Sequence, residues 1–424
     1  MRVGVLGCGN VGGALVQLLA ADAQAIAERT GLTLEVTRVA VRSTARERSV
    51  QLPESCLTSD AESVANDPDI DVIVEAIGGI EPARSLILDA LKSGKPVITA
   101  NKELLANVGA ELVDAAVAAG VDLLYEAAVG GGIPLIRPLR ESLAGERIIR
   151  IMGIVNGTTN YILTRMSEAG ASYSDALAEA QTLGFAERDP TADVEGYDAA
   201  AKCAILASIA FGAKVVAGDV YREGISGITS ADIAYADRLG YVIKLLAIAE
   251  QVEGEVAVRV HPAMIMKTHP LAAVRESFNA VFIQGEAVGD LMLYGRGAGG
   301  MPTASAVLGD LIDAAHNLRS GGSGRASSPG RATLRSIDEL RSQYYINLEV
   351  ADRTGVLASV ATVFGEHGVS IRSMEQDDEE SGEARLVFIT HIARERDVQA
   401  TLHGLRELDA VHSIGSLLRV VGSE

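Results

Sequence analysis

The sequence predicts an α/β chain in three parts: a doubly wound parallel sheet, an α+β middle and a small βαββαβ module at the carboxyl end. Three observations carry this. A strand, a glycine-rich turn and a helix follow one another within the first 27 residues. Apolar runs of strand length then alternate with segments of helical period. Beyond a Gly/Ser/Pro segment, strand and helix patterns recur in the ferredoxin-like order.

Composition sets the limits. The chain has 424 residues, 48% of them hydrophobic, which is enough for two or three domains with cores of their own. A net charge of −19 argues against nucleic acid and anionic membrane as partners. Cys8, Cys56 and Cys203 show neither metal-ligand spacing nor a paired framework, which predicts a reducing, cytoplasmic setting. The chain opens on a strand pattern, not a signal peptide, and no apolar run is long enough to span a bilayer.

Met1 to Leu6 reads as a buried strand and Ala14 to Ala27 as a helix. Between them, Gly7-Cys8-Gly9-Asn10-Val11-Gly12 is GxGxxG in its required setting. Gly7 allows the tight turn, Gly9 the approach of a pyrophosphate and Gly12 the close packing of helix on strand. The helix N-terminus offers free N–H groups to phosphates. A Rossmann-type dinucleotide domain over 1–134 follows; the alternative is a glycine turn that binds nothing. Leu34 to Val41 is the second strand. An NAD site usually has an acid just beyond it; here stands Arg42, with Arg46 and Arg48 behind. Arginine suits a 2′-phosphate, so NADP is favoured over NAD, unless Arg42 is only a solvated loop residue. Asp71–Glu75, Lys95–Thr99 and Val121–Tyr125 read as further strands, with a crossover helix at Ser85–Ser93. Lys102 follows the carboxyl end of one of them, where open α/β sheets bind ligands.

Strands at Glu146–Val155, Tyr241–Ile248, Val256–Val260 and Asn279–Gln284, with helices at 174–183 and 194–210, predict an α+β domain over 135–300 with a mixed or antiparallel sheet. The richest stretch is Leu183 to Ala210. It begins with Gly184, Glu187 and the helix-disfavouring Asp189-Pro190, then becomes an Ala-rich helix from about Val194. Asp198 and Lys202, four apart, share one face of that helix. Two carboxylates and one ammonium beside an apolar helix suit orienting an amino acid and moving a proton. The plainer reading is an exposed salt bridge. Burial would lower the pKa of Lys202 and Asp198 would raise it, a balance that spacing leaves open.

Met292 to Arg296 leads into a glycine loop, and Pro302 to Leu318 reads as a helix that returns, as 301–319, to the nucleotide domain. Ser320 to Arg331 is a Gly/Ser/Pro linker within 320–343, followed by a short helical stretch to about Ser342. The linker implies that the tail can be deleted without loss of activity. In 344–424, strands at Tyr344–Val350, Val369–Gln376, Ala384–Ala393 and Val411–Val421 flank helices at Gly355–His367 and Asp397–Leu408, with an acidic hairpin at Asp377–Gly382.

Together these residues resemble the homoserine dehydrogenase family over nearly the whole chain. The matching pieces are GCGNVG at 7–12, VIVEAIGG at 72–79, VITANKELLA at 97–106 and YEAAVGGGIPLI at 125–136. IVNGTTNYIL at 154–163, LGFAERDPTADVEGYDAAAK at 183–202 and GRGAGGMPTA at 295–304 complete them. The resemblance implies NAD(P)-dependent, reversible reduction of L-aspartate 4-semialdehyde to L-homoserine, on the route to threonine, methionine and isoleucine. It implies Lys202 as acid/base, Asp198 as its partner, Glu187 as the holder of the substrate's amino group and Gly184 in the substrate loop. Val11, Lys102 and Gly300 match cofactor contacts. Glu126, Val129, Gly131 and Ile133 match a sodium site built mostly of carbonyls, where the residues alone suggest only a flexible glycine turn. A homodimer or homotetramer is expected, with 135–300 carrying dimerisation.

The run Leu348 to Leu357 resembles the opening of an ACT domain, whose first loop binds an effector amino acid. That implies an allosteric site at Asp352, Gly355, Val356 and Leu357, with threonine as effector; the alternative is a module that only pairs subunits. Two other readings compete. A silent assembly protein would have no use for Glu187, Asp198 and Lys202 together. An aldehyde dehydrogenase acting through cysteine needs an activated thiol, and none of the three cysteines has that setting.

Overall fold

Parallel strands come first in the computed structural model, which describes every residue except 47, 49, 324–327, 379–382 and 423–424. They are β1 (Arg2–Leu6), β2 (Glu35–Ala40), β3 (Leu57–Thr58), β4 (Val72–Glu75), β5 (Val97–Thr99) and β6 (Leu123–Leu124). Their order is β3-β2-β1-β4-β5-β6, so the winding reverses between β1 and β4, and ligands of such sheets bind outside the carboxyl ends at that point. Helices α1 (Asn10–Ala21), α2 (Ala23–Thr30), α3 (Ala61–Ala65), α4 (Ala83–Lys92) and α5 (Lys102–Ala119) cover the sheet. Two apolar clusters, one on each face, explain why all four residues of β4 are buried. The helix expected at 14–27 starts earlier, at Asn10, and breaks at Asp22. Gly9 caps its start, which brings the free N–H groups to the glycine turn itself.

The middle of the chain follows as β7 (Ile148–Ile154), α6 (Gly157–Ala169), α7 (Tyr173–Thr182), α8 (Thr191–Val194) and α9 (Tyr197–Phe211). Then come β8 (Tyr221–Arg222), α10 (Ser230–Arg238), β9 (Tyr241–Val252), β10 (Glu255–Met266), β11 (Phe278–Gly285) and β12 (Gly289–Arg296). The helix expected from Val194 begins at Tyr197, because Gly196 at φ +77° breaks the run. Its buried Ala199, Cys203, Ala204 and Leu206 share one core with β9 and β10. Met292–Arg296 belongs to the edge strand β12. Helix α11 (Gly300–Arg319) then returns: Val307, Leu311 and Ala314 pack with Val3 and Val5 of the nucleotide sheet and Leu15 of α1.

The last module holds β13 (Arg341–Ala351), α12 (Val356–Glu366), β14 (Ile371–Asp378), β15 (Glu383–Thr390), β16 (Ala393–Arg394), α13 (Glu395–Arg406) and β17 (Val411–Val421). Its strand order, β17-β13-β15-β14, is the ferredoxin-like one. One expectation changes. The helical stretch before Ser342 is only a turn at Ile337–Glu339, since Arg341 and Ser342 already pair in β13. The acidic hairpin lies largely outside the described residues, as does the middle of the linker.

The linker does not keep the tail apart: its last strand joins the sheet of the middle domain. β17 pairs in parallel with β10 through Ala263–Arg419, Met264–Val420 and Ile265–Val421. One sheet therefore runs β12-β11-β7-β9-β10-β17-β13-β15-β14. Tyr345, Val387, Ile389, Leu418 and Val420 belong to the same apolar cluster as β9, β10 and α9. Arg419, only 1% exposed, donates to both Glu223 oxygens at 2.9 Å and to Glu395 at 2.7 and 2.8 Å. Asp232 of α10 is fully buried and accepts from Tyr345, Asn347 and Ser416 of the tail.

Deleting 344–424 should therefore strip a core face and a sheet partner, giving aggregated protein in place of an active truncation. Arg419→Ala should cost about 3–5 kcal/mol, because Glu395 stays buried without its cation. Urea unfolding of the full chain measures this; an unchanged midpoint would show that the network does not hold the tail.

Candidate active site

The glycine turn at the end of β1 is shaped by main-chain crowding. A Cβ on Gly7, at φ +98°, would fall 2.5 Å from the Ala76 carbonyl oxygen, and one on Gly12 would fall 2.1 Å from that of Gly7. Nothing lies within 4 Å of a Cβ on Gly9, which faces open space at the helix start. The N-terminus of α11 leans on the same turn: a Cβ on Gly300 would be 3.1 Å from the Asn10 carbonyl oxygen. Val11 is half-buried beside them. These residues fit a dinucleotide pyrophosphate. Arg42 is exposed just past β2. Arg48 instead folds over its own loop, donating to the carbonyls of Ser43, Thr44 (3.2 Å) and Arg46 (2.7 Å).

Two residues outside the expected set shape the same edge. Glu75, fully buried at the end of β4, accepts from the main chain of Ile77 (2.7 Å) and Gly78 (3.2 Å) and from the Thr99 hydroxyl (2.5 Å). Asn101 donates to the Gly79 carbonyl at 2.6 Å and caps α5 by accepting from Leu104 N–H. The cap fixes where α5 begins, and Lys102 is its first residue.

The Lys102 ammonium meets the substrate domain there. It forms a close ion pair with Asp198 Oδ1. Lys202 Nζ donates at 2.7 Å to Asp198 Oδ2 and at 2.7 Å to the Val155 carbonyl. Asn156, at the end of β7, donates from Nδ2 to Asp198 Oδ2 (2.9 Å) and to Asp193 Oδ1 (2.7 Å). Its side-chain oxygen Oδ1 caps α6 by accepting from Thr159 N–H. Asp198 and Lys202 are each only 8% exposed, so the plain surface salt bridge is ruled out.

Charge follows from this geometry. Burial pushes the Asp198 carboxyl up, but the Lys202 and Lys102 ammoniums outweigh it and hold the group well below the usual carboxylate range. Burial loosens the proton of Lys202, and Asp198 opposes that only in part, so its pKa is lowered. At Lys102 burial also acts downward, but Asp198 wins and the pKa is raised.

The expected trio differs in one member. Glu187 lies on the exposed loop 183–190, and among the described residues its carboxylate pairs with no cation. Only its main-chain oxygen is engaged, by Gln181 at 3.1 Å. Gly184, at φ +78°, is exposed in the same loop. The cluster is thus one carboxylate between two ammoniums. Helical spacing pairs 198 with 202 but says nothing of a lysine in another domain. Asn156 and Asp193 were missed for the same reason.

The Glu126 loop is built otherwise than a side-chain metal site. Glu126 is buried, and its carboxylate accepts from the N–H groups of Leu135 (2.5 Å), Ile136 (2.8 Å) and Arg137 (2.7 Å). Val129, Gly131 and Ile133 are buried beside it, with Gly131 at φ +55°. Among the described residues no group of three His, Cys, Asp or Glu is placed to hold a metal, which leaves main-chain oxygens as the donors that fit a hard cation. In the tail, Asp352 and Leu357 are exposed, Val356 is buried, and Gly355 at φ +92° caps α12. No helix among the described residues is long and apolar enough to cross a membrane.

A dinucleotide sheet whose carboxyl edge bears a carboxylate held between two ammoniums defines an NAD(P)-dependent oxidoreductase. Comparison with known proteins narrows this. Residues 7–126 match the homoserine dehydrogenase NAD-binding domain, 134–312 the homoserine dehydrogenase domain and 344–408 the ACT domain. The homoserine dehydrogenase of Corynebacterium glutamicum is 49% identical over 428 residues, covering 99% of this chain and 95% of that one. A crystal structure of a homoserine dehydrogenase from Thiobacillus denitrificans has a TM-score of 0.93 at 41% identity, covering 99% of this chain and 98% of its own. A hyperthermophilic archaeal homoserine dehydrogenase in complex with NADPH matches 74% of this chain and 97% of its own, with a TM-score of 0.62 at 28% identity. The chain belongs to the homoserine dehydrogenase family.

Asn156→Ala should remove the α6 cap and the donor shared by Asp193 and Asp198. The expected loss is about 1–3 kcal/mol of stability, read by thermal unfolding. Wild-type stability in this variant would mean that the shared donor is dispensable.

Proposed function

We propose that this enzyme reduces L-aspartate 4-semialdehyde to L-homoserine, reversibly, with NADPH preferred over NADH. The single observation behind this reading is Asp198 held between Lys102 and Lys202 at the carboxyl edge of the nucleotide sheet. The nicotinamide, when bound, supplies the hydride. Lys202 gives its proton to the carbonyl oxygen as charge develops there; burial has already loosened that proton. Asp198 aims the lysine, and Lys102 keeps Asp198 ionised. Glu187, in its exposed loop with Gly184, takes the substrate's ammonium.

In this reading 1–134 holds the dinucleotide, 135–300 the substrate and the dimer contact, 301–319 ties the two, and 320–343 leads into the regulatory 344–424. Gly7, Gly9, Asn10, Val11, Gly12 and Gly300 cradle the pyrophosphate, and Arg42 faces the 2′-phosphate. A sodium ion would rest on the carbonyls of Glu126, Val129, Gly131 and Ile133, fixing the loop that meets Gly297. Threonine would bind at Asp352 and the main chain of Gly355, Val356 and Leu357, lowering activity in a homodimer or homotetramer. Three free cysteines support a cytoplasmic setting.

Lys202→Ala should lose 100-fold or more of turnover with NADPH and L-aspartate 4-semialdehyde while staying folded; near-normal turnover would sink the assigned role. In the reverse direction Lys202 must be neutral, so homoserine oxidation rises as pH passes its pKa. Asp198 raises that pKa, so Asp198→Asn should move the acid limb of the pH–rate profile to lower pH, besides slowing turnover. Arg42→Ala should raise KM for NADPH several-fold and leave KM for NADH nearly unchanged; equal effects would remove the 2′-phosphate contact.

A further inference from the structure

The two helices that bring Lys102 and Asp198 together also enclose a cavity further along their length. Its volume is about 340 Å³, within the range of small-ligand pockets. Leu105, Gly109 and Val113 of α5 form one wall, and Ile205, Ser208 and Ile209 of α9 face them. The third wall is the strip that leads to the tail. Pro329 lines the cavity, and Gly330 bonds both ways to the loop after α9: Lys214 N–H to Gly330 O at 2.8 Å, Gly330 N–H to Gly212 O at 2.7 Å.

Most of the lining is apolar, with two cations that lack acid partners among the described residues. Arg140 is half-buried, with its guanidinium 5.8 Å over the Tyr125 ring. Four acids of this region, Asp310, Asp313, Glu126 and Glu146, are already engaged. Arg137 holds Asp310 at 3.2 Å and Asp313 at 2.8 Å, and Glu126 is taken by main-chain N–H groups. Glu146, the acid of the cavity wall, accepts from Ala287 N–H at 2.8 Å. Lys214 lies at the rim in no ion pair.

We propose that this cavity is a binding site for a small amphipathic organic anion, its apolar body between α5 and α9 and its acidic head on Arg140 and Lys214. Such a ligand would touch the nucleotide domain, the substrate domain and the strip to the tail at once. It would set the spacing of α5 and α9, and with it the Lys102–Asp198 contact at their other ends. Occupancy therefore changes turnover without competing for the active site.

The probe is 8-anilinonaphthalene-1-sulfonate, which joins an apolar aromatic body to one anionic group. Full-length protein saturated with NADPH and L-homoserine, so that the active cleft is filled and silent, is titrated by calorimetry. A Cβ on Gly109 meets nothing nearer than Leu105, at 3.8 Å, so Gly109→Leu fits the helix and fills the cavity. Binding to the wild type, its loss in Gly109→Leu, and at least tenfold weakening in Arg140→Met are expected. In steady-state assays the probe should lower kcat of the wild type and leave kcat of Gly109→Leu, whatever its own basal rate, unchanged on addition of the probe. No binding to the wild type, or equal binding to Gly109→Leu, overturns the site. Binding that leaves kcat untouched overturns its link to the lysine pair.

Discussion

A single carboxylate, taken out of water and held between two ammoniums, decides how the parts of this molecule must meet. Asp198 and Lys202 come from one domain, and Lys102 from the other. A buried carboxylate left with too little positive charge is costly, so the domains are favoured in the arrangement that brings Lys102 in. Assembly of this charged cluster and apposition of the domains are then one event. The surrounding bonds serve that arrangement: Asn101 sets where α5 starts, Gly196 sets where α9 starts, and Asn156 anchors the carboxylate from the end of β7. It also separates the two lysines chemically. The same carboxylate tightens the proton of Lys102 and only partly offsets the burial of Lys202.

Much of this is legible in local sequence pattern. The glycine turn, the return of α11 and the ferredoxin-like order are written in short-range periodicity and turn residues, and the structure has them. Asp198 and Lys202 were legible because a helix puts residues four apart on one face. The pairing of Asp198 with Lys102 was not, since nothing near either residue encodes a contact between domains. Glu187 stands near them in sequence, and its loop leaves it exposed and in no ion pair among the described residues. Gly196 was the one local signal overlooked: a glycine beside the helix start that ends α8 and restarts the chain as α9.

The largest surprise concerns the tail. A Gly/Ser/Pro stretch looks like a hinge between independent bodies, yet the strands beyond it complete the sheet before it. The loop that Arg419 grips continues from Glu223 to Ile225, whose N–H is bonded to the Val194 carbonyl at 2.8 Å. Val194 stands just ahead of the Gly196 break and Asp198. The ACT module and the helix that carries Asp198 and Lys202 are therefore joined by contiguous bonds, not by a tether.

The place of β17 also governs how the molecule is made. It is translated after every strand it joins, yet lies between β10 and β13 in the finished sheet. A nascent chain must carry the apolar Ala263–Ile265 stretch of β10 with an open edge for on the order of ten seconds at ordinary ribosomal speeds. Such edges are templates for wrong pairing. The vulnerable period of this protein's life is thus the interval between the synthesis of its middle and of its last strand, when a chaperone is most useful to it.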